Sequence, residues 1–125
     1  MKMSVTDQMN LQTRKRLLKR ELERYVSILS KRPEIIGVIV FGSAVNEREV
    51  NEDSDLDLVV VEDTTEPFMK RLKKIRRLLH PKIATDILVY ARDEFNKLCE
   101  NRPFVKEEIV KKGRIMYERE RGALA

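Results

Sequence analysis

Three short runs of β-branched, almost unbroken apolar residues limit what this chain can become. Ile35–Phe41 reads IIGVIVF, Leu56–Val61 reads LDLVVV and Ile83–Tyr90 reads IATDILVY. A strand with one wet face alternates apolar and polar residues, so runs this continuous belong to strands covered on both sides. The cover must come from helices, which makes the chain an α/β (α+β) protein with a small mixed sheet flanked by helices.

The sequence between and around the runs provides those helices. From Thr6 to Arg32, the residues Leu11, Leu18, Leu22, Tyr25 or Val26, and Leu29 recur at three- and four-residue spacing among Lys, Arg and Glu, the pattern of an amphipathic helix that Pro33 stops. Pro67 can occupy a first helical turn, after which Phe68, Leu72, Ile75 and Leu79 share one face until His80-Pro81 ends the helix. Beyond Tyr90, helices are expected over residues 93–118. Asp93 caps the first, Pro103–Lys112 forms another with Gly113 after its end, and RIMYE adds a short edge strand before a disordered tail at 119–125.

A length of 125 residues suits one hydrophobic core. Residues 1–125 are therefore read as a single domain, with no repeat, low-complexity linker or internal boundary. One Cys and one His exclude a Cys/His zinc site and an intrachain disulfide. No run approaches a membrane span, and the N-terminus lacks the apolar core of a secretory signal, so the expected setting is the cytoplasm, with no membrane. The formal charge of +5 favours acidic partners and does not by itself choose nucleic acid.

Against this background the acids stand out. Asp55 and Asp57 lie two apart at the start of an apolar strand, so they project from the same face while Leu56 and Leu58 pack on the other. Two carboxylates held this close repel one another unless a cation lies between them, and an oxygen-only ligand set suits Mg²⁺ or Mn²⁺. Asp86 interrupts the third run. If that strand lies beside the second, Asp86 completes a three-carboxylate cluster of the kind that holds two metals for phosphoryl-type displacement. Gly42-Ser43, at the end of the first run, lets backbone approach a ligand and offers a hydroxyl and N–H groups to a phosphate, more so if residues 43–50 begin a short helix. An EF-hand starting at Asp53 fails, because Leu58 stands where Gly is needed and Thr64 where Glu is needed.

Gly-Ser, eleven residues, then DLDLVVV and a later acid-bearing strand resembles the nucleotidyltransferase superfamily of DNA polymerase β and the aminoglycoside nucleotidyltransferases, and most closely its minimal, MNT-domain members. The core motifs of the likeness span residues 35–90, and FVKEEIVKKGRIMYE continues it loosely. The resemblance implies that Gly42 and Ser43 contact the triphosphate of ATP or another NTP, that Asp55, Asp57 and Asp86 are metal ligands, and that Asp86 also helps activate the acceptor hydroxyl. It further implies transfer of a nucleoside monophosphate, AMP from ATP, to a hydroxyl. The acceptor so implied is a partner HEPN-domain protein, a small helical RNase toxin, in a homo- or hetero-oligomer of a toxin–antitoxin system.

Two other readings stay open: a binding module that neutralises its partner by contact alone, and an aminoglycoside-like transferase for small molecules. The loop after Ser43, GSAVNEREV, lacks the Arg and Gly common there in the family and leans toward the first of these.

Six basic residues on the helix after Pro67, Lys70, Arg71, Lys73, Lys74, Arg76 and Arg77, read as a solvated face unaccompanied by stacking aromatics.

Overall fold

The structure, a computed structural model, describes residues 4–124, without the side chain of Asp7. Helix α1 (Val5–Leu29) leads into strand β1 (Ile35–Phe41), a 3₁₀ turn (Gly42–Val45), β2 (Leu56–Glu62), α2 (Phe68–Leu79), β3 (Thr85–Ala91), α3 (Arg92–Asn101), a π-type helix α4 (Val105–Lys111) and β4 (Arg114–Glu118). The fold is α+β: four helices around a mixed four-stranded sheet in the order β3-β2-β1-β4. Strand β1 runs antiparallel to both β2 and β4, and β2 runs parallel to β3 across α2.

Period-two alternation divides the apolar residues between two cores. On one face Val38, Val40, Leu58 and Val60 meet Leu18, Tyr25 and Leu29 of α1 and Ile75 and Leu79 of α2. On the other, Ile36, Ile39, Val59 and Val61 meet Phe95 of α3 and Val105 and Ile109 of α4. Each fully buried aliphatic or aromatic side chain contributes roughly 1.5–3 kcal/mol, so both layers matter to stability.

The C-terminus of α2 is fastened by α1. Arg24 donates to the carbonyls of Leu79 (2.6 Å) and His80 (3.0 Å), groups that a helix end otherwise leaves without partners. Glu21, itself buried, aligns Arg24 at 2.7 Å and accepts the Lys82 N–H at 2.6 Å. These bonds, Arg24 foremost, hold the Glu21 carboxyl down at about 2 against the opposing cost of burial.

Several local expectations are corrected. The first helix of the C-terminal part is capped at Ala91, not by Asp93, because Glu94 reaches back to the Ala91 N–H at 2.8 Å. The basic face of α2 is only partly a solvent face. Arg71 is buried and paired with Glu94, Lys74 reaches the buried Glu62, and Arg76 donates to the Thr85 carbonyl at 3.1 Å. The helical stretch expected to run to residue 118 ends at Lys111, and RIMYE forms the expected edge strand as β4.

The expected disordered tail folds back over residues 119–124, while Ala125 lies outside the described residues. The Arg119 N–H bonds the Ile36 carbonyl at 2.8 Å, its side chain reaches Asp63 at 3.1 Å, and Leu124 fills the space that a side chain at Gly37 would need. Among the described residues no helix is long and apolar enough to cross a membrane.

Candidate active site

Parallel pairing places Asp57 of β2 directly opposite Asp86 of β3, and antiparallel pairing places Phe41, the last residue of β1, on the other side of Asp57. Asp57 alternates with Leu56 and Leu58, so it projects from the sheet face that carries Val59 and Val61. Asp86 projects from the same face, because its neighbours Thr85 and Ile87 point to the opposite one, where Thr85 meets the Tyr25 hydroxyl at 2.7 Å.

The Asp57 carboxyl is half-buried and pushed up to about 6, first by burial, then by the charge of Asp86 and a hydrogen bond with it, and last by the charge of Asp55. No basic side chain among the described residues pairs with Asp57 or Asp86. Among the described residues the pair thus has no basic counterion.

Asp55 behaves differently. It sits at the mouth of β2, and its Oδ1 accepts from Nη2 of Arg14 on α1 at 3.1 Å, while Arg14 Nε donates to the neighbouring Ser54 carbonyl at 2.8 Å. Two acids therefore meet, and the third of the expected cluster is engaged by Arg14. Among the described residues no three His, Cys, Asp or Glu side chains gather closely enough to hold a metal ion. The oxygen donors of Asp57 and Asp86 do suit Mg²⁺ or Mn²⁺, which is commonly bound by one or two carboxylates together with substrate phosphates.

Gly42 adopts φ +74°, a left-handed conformation that strains other residues, and a β-carbon there would collide with the Asp57 carboxylate. The Gly-Ser turn is thereby seated against the acids. Ser43 is tied to the next segment through Ser54. Its Oγ donates to Ser54 Oγ at 3.3 Å, and the same Ser54 oxygen accepts the Asn51 N–H at 2.9 Å. The short helix expected from residue 43 is a four-residue 3₁₀ turn.

Arg14 and Ser54 escaped the sequence reading. Arg14 lies 41 residues from Asp55 in a helix crowded with other cations, and Ser54 is one small residue in a polar loop, so neither carries a local signal.

The fold has a counterpart among solved structures. A Sulfolobus solfataricus protein of known crystal structure, whose own nucleotidyltransferase assignment is provisional, superposes with a TM-score of 0.56 at 17% identity, over 95% of this chain and 93% of that one. At that identity the likeness speaks for the fold. No significant match is found among curated proteins. The family model described as "Polymerase beta, Nucleotidyltransferase" matches residues 23–122, most of the chain and all of the Gly-Ser and Asp positions, and the chain belongs to the polymerase β nucleotidyltransferase family.

Proposed function

We propose that this domain transfers a nucleoside monophosphate, AMP from ATP, to a hydroxyl group on a partner protein. The observation that carries the reading is the register pair Asp57–Asp86, set against the Gly42-Ser43 turn and without a basic partner among the described residues. Family members use an NTP and a divalent metal. Asp57 and Asp86 are the residues to hold Mg²⁺ or Mn²⁺, joined by Asp55 once it leaves Arg14, and the bound ion would neutralise charge on the phosphates.

Gly42 and Ser43 orient the triphosphate by close backbone approach and by the Ser43 hydroxyl. Asp86, the more exposed of the two, accepts the proton of the attacking hydroxyl in this reading, and its exposure supports that role. The acceptor oxygen forms a bond to the α-phosphorus as the bond to pyrophosphate breaks. The acceptor is held outside this domain, and the family resemblance suggests a HEPN-domain toxin on which the chain acts as a cytoplasmic antitoxin.

The test is incubation of the protein with labelled ATP, Mg²⁺ and a HEPN-domain protein encoded beside it, followed by intact mass measurement. A gain of one nucleoside monophosphate on Tyr, Ser or Thr, lost in the Asp57→Asn/Asp86→Asn variant, supports the reading. One observation favours a second reading, a module that neutralises its partner by contact: Asp55 is taken up by Arg14, and among the described residues no three-acid group is assembled. Relief of toxicity without mass gain, equal in the double variant, would select it.

A further inference from the structure

A broad cleft lies away from the Asp57–Asp86 face. It has a volume of about 850 Å³ and opens between α1, the segment 44–48 and the start of β4. Lys15, Arg16 and Lys19 form one rim, and Arg48 and Arg114 the other, against only two acids, Glu23 and Glu47. Among the described residues, Lys15, Arg16, Lys19 and Arg48 make no ion pair, whereas Arg14 and Arg24 on the same helix do. The floor is aliphatic: Leu18, Leu22, Val45 and Met116. Arg114 donates to the Val45 carbonyl at 3.2 Å, which ties β4 to the segment that forms the far wall.

The lining discriminates between acidic partners. Single-stranded nucleic acid is bound on aromatic platforms as well as on cations, and among the described residues no aromatic side chain lines this cleft. An aliphatic floor between two basic rims complements an amphipathic helix with aliphatic residues on one face and carboxylates on its flanks. The lengths agree. The α1 wall runs from Gln12 to Glu23, about 17 Å at 1.5 Å per residue, which accommodates roughly three turns of a second helix.

We propose that the cleft between α1 and residues 44–48 is a docking site for an acidic amphipathic helix of a partner protein, separate from the carboxylate site. The proposal rests on the cleft and holds whether or not nucleotide transfer takes place.

The probe is a dye-labelled synthetic helix of about 15 residues with Leu on one face and Glu on both flanks. It is compared with a version carrying Lys in place of Glu and with a single-stranded oligonucleotide of similar charge, all read by fluorescence anisotropy. The Glu peptide should bind, with affinity that falls as salt rises, and the Lys peptide should not. Arg16→Glu/Lys19→Glu should weaken binding by about tenfold or more with the melting temperature unchanged. Asp57→Asn/Asp86→Asn should bind as the wild type does, which separates failure of this proposal from failure of the transfer reading. Hydrogen exchange should show peptide-induced protection within residues 12–23 and 44–48. The proposal is overturned if the rim variant binds equally well, if protection falls elsewhere, or if the oligonucleotide binds more tightly and displaces the peptide.

Discussion

Arg14 holds Asp55. The guanidinium spans the Asp55 carboxylate at 3.1 Å and the Ser54 carbonyl at 2.8 Å, so α1 on one side of the sheet controls an acid at the mouth of β2. The Asp55 carboxylate is thus engaged by a cation of the protein itself. The remaining acids, Asp57 and Asp86, have no such partner among the described residues.

Competition between Arg14 and a metal predicts that Arg14→Gln binds Mn²⁺ more tightly than the wild type in the absence of nucleotide. The pair is partly exposed, which limits the effect to a few-fold, on the order of 1 kcal/mol. Calorimetric titration of Mn²⁺ measures it. Unchanged or weaker binding would mean that Arg14 organises Asp55 for the metal and does not compete for it.

The raised Asp57 carboxyl predicts a pH dependence of stability in metal-free protein. The ordinary value is 3.8 and the folded value about 6, so between these limits the folded state binds a proton that the unfolded state has released. Stability from this group is therefore full below about pH 4, falls as pH rises, and is lost above about pH 6. Asp57→Asn should raise the melting temperature at pH 7 and flatten this interval, while leaving intact the separate acid loss from Glu21 between its ordinary 4.5 and about 2. Melting curves of both proteins in EDTA across pH 3 to pH 8 test this. A wild-type profile that climbs between pH 4 and pH 6 relative to Asp57→Asn contradicts the sign.

Gly42→Ala places a methyl group where the Asp57 carboxylate stands, on a backbone with φ +74°. The fold should persist with a cost of about 1–2 kcal/mol for the left-handed alanine. Mn²⁺ binding should weaken by about tenfold or more as Asp57 is displaced from Asp86. Urea denaturation and calorimetry together separate the two effects, and retention of wild-type Mn²⁺ affinity would show that Asp57 is not a ligand.

Glu62 closes β2 with a fully buried carboxylate whose Oε2 lacks a hydrogen-bond partner among the described residues, and Lys74 of α2 engages its other oxygen. Removing the cation alone leaves a buried charge uncompensated, so Lys74→Met should cost about 3 kcal/mol. Glu62→Gln/Lys74→Met should recover most of the loss, because the charge is gone as well. Denaturant midpoints for the single and double variants decide the point, and equal loss in both assigns the effect to packing of the Lys74 stem.

Much of the framework was legible in the chain. The three apolar runs became β1, β2 and β3, and the periodic segments around Leu18 and Ile75 became α1 and α2, because burial on both sheet faces and on one helix face writes itself into spacing along a few residues. The expectation that Asp86 faces Asp57 rested on period two in each strand and on the third run lying beside the second, and the parallel register brings the two together. What the chain did not reveal are relations between distant segments. Strand order, the Arg14–Asp55 bond across 41 residues, the return of Leu124 onto Gly37 and the inward turn of Arg71, Lys74 and Arg76 each depend on which surfaces meet after the layers pack. Hydrophobic pattern and backbone geometry are set by neighbours in sequence, whereas the partner of a charge is set by neighbours in space, so the sequence determined the scaffold and the position of its acids, and only the tertiary structure decided which of those acids is held by an arginine and which have no counterion among the described residues.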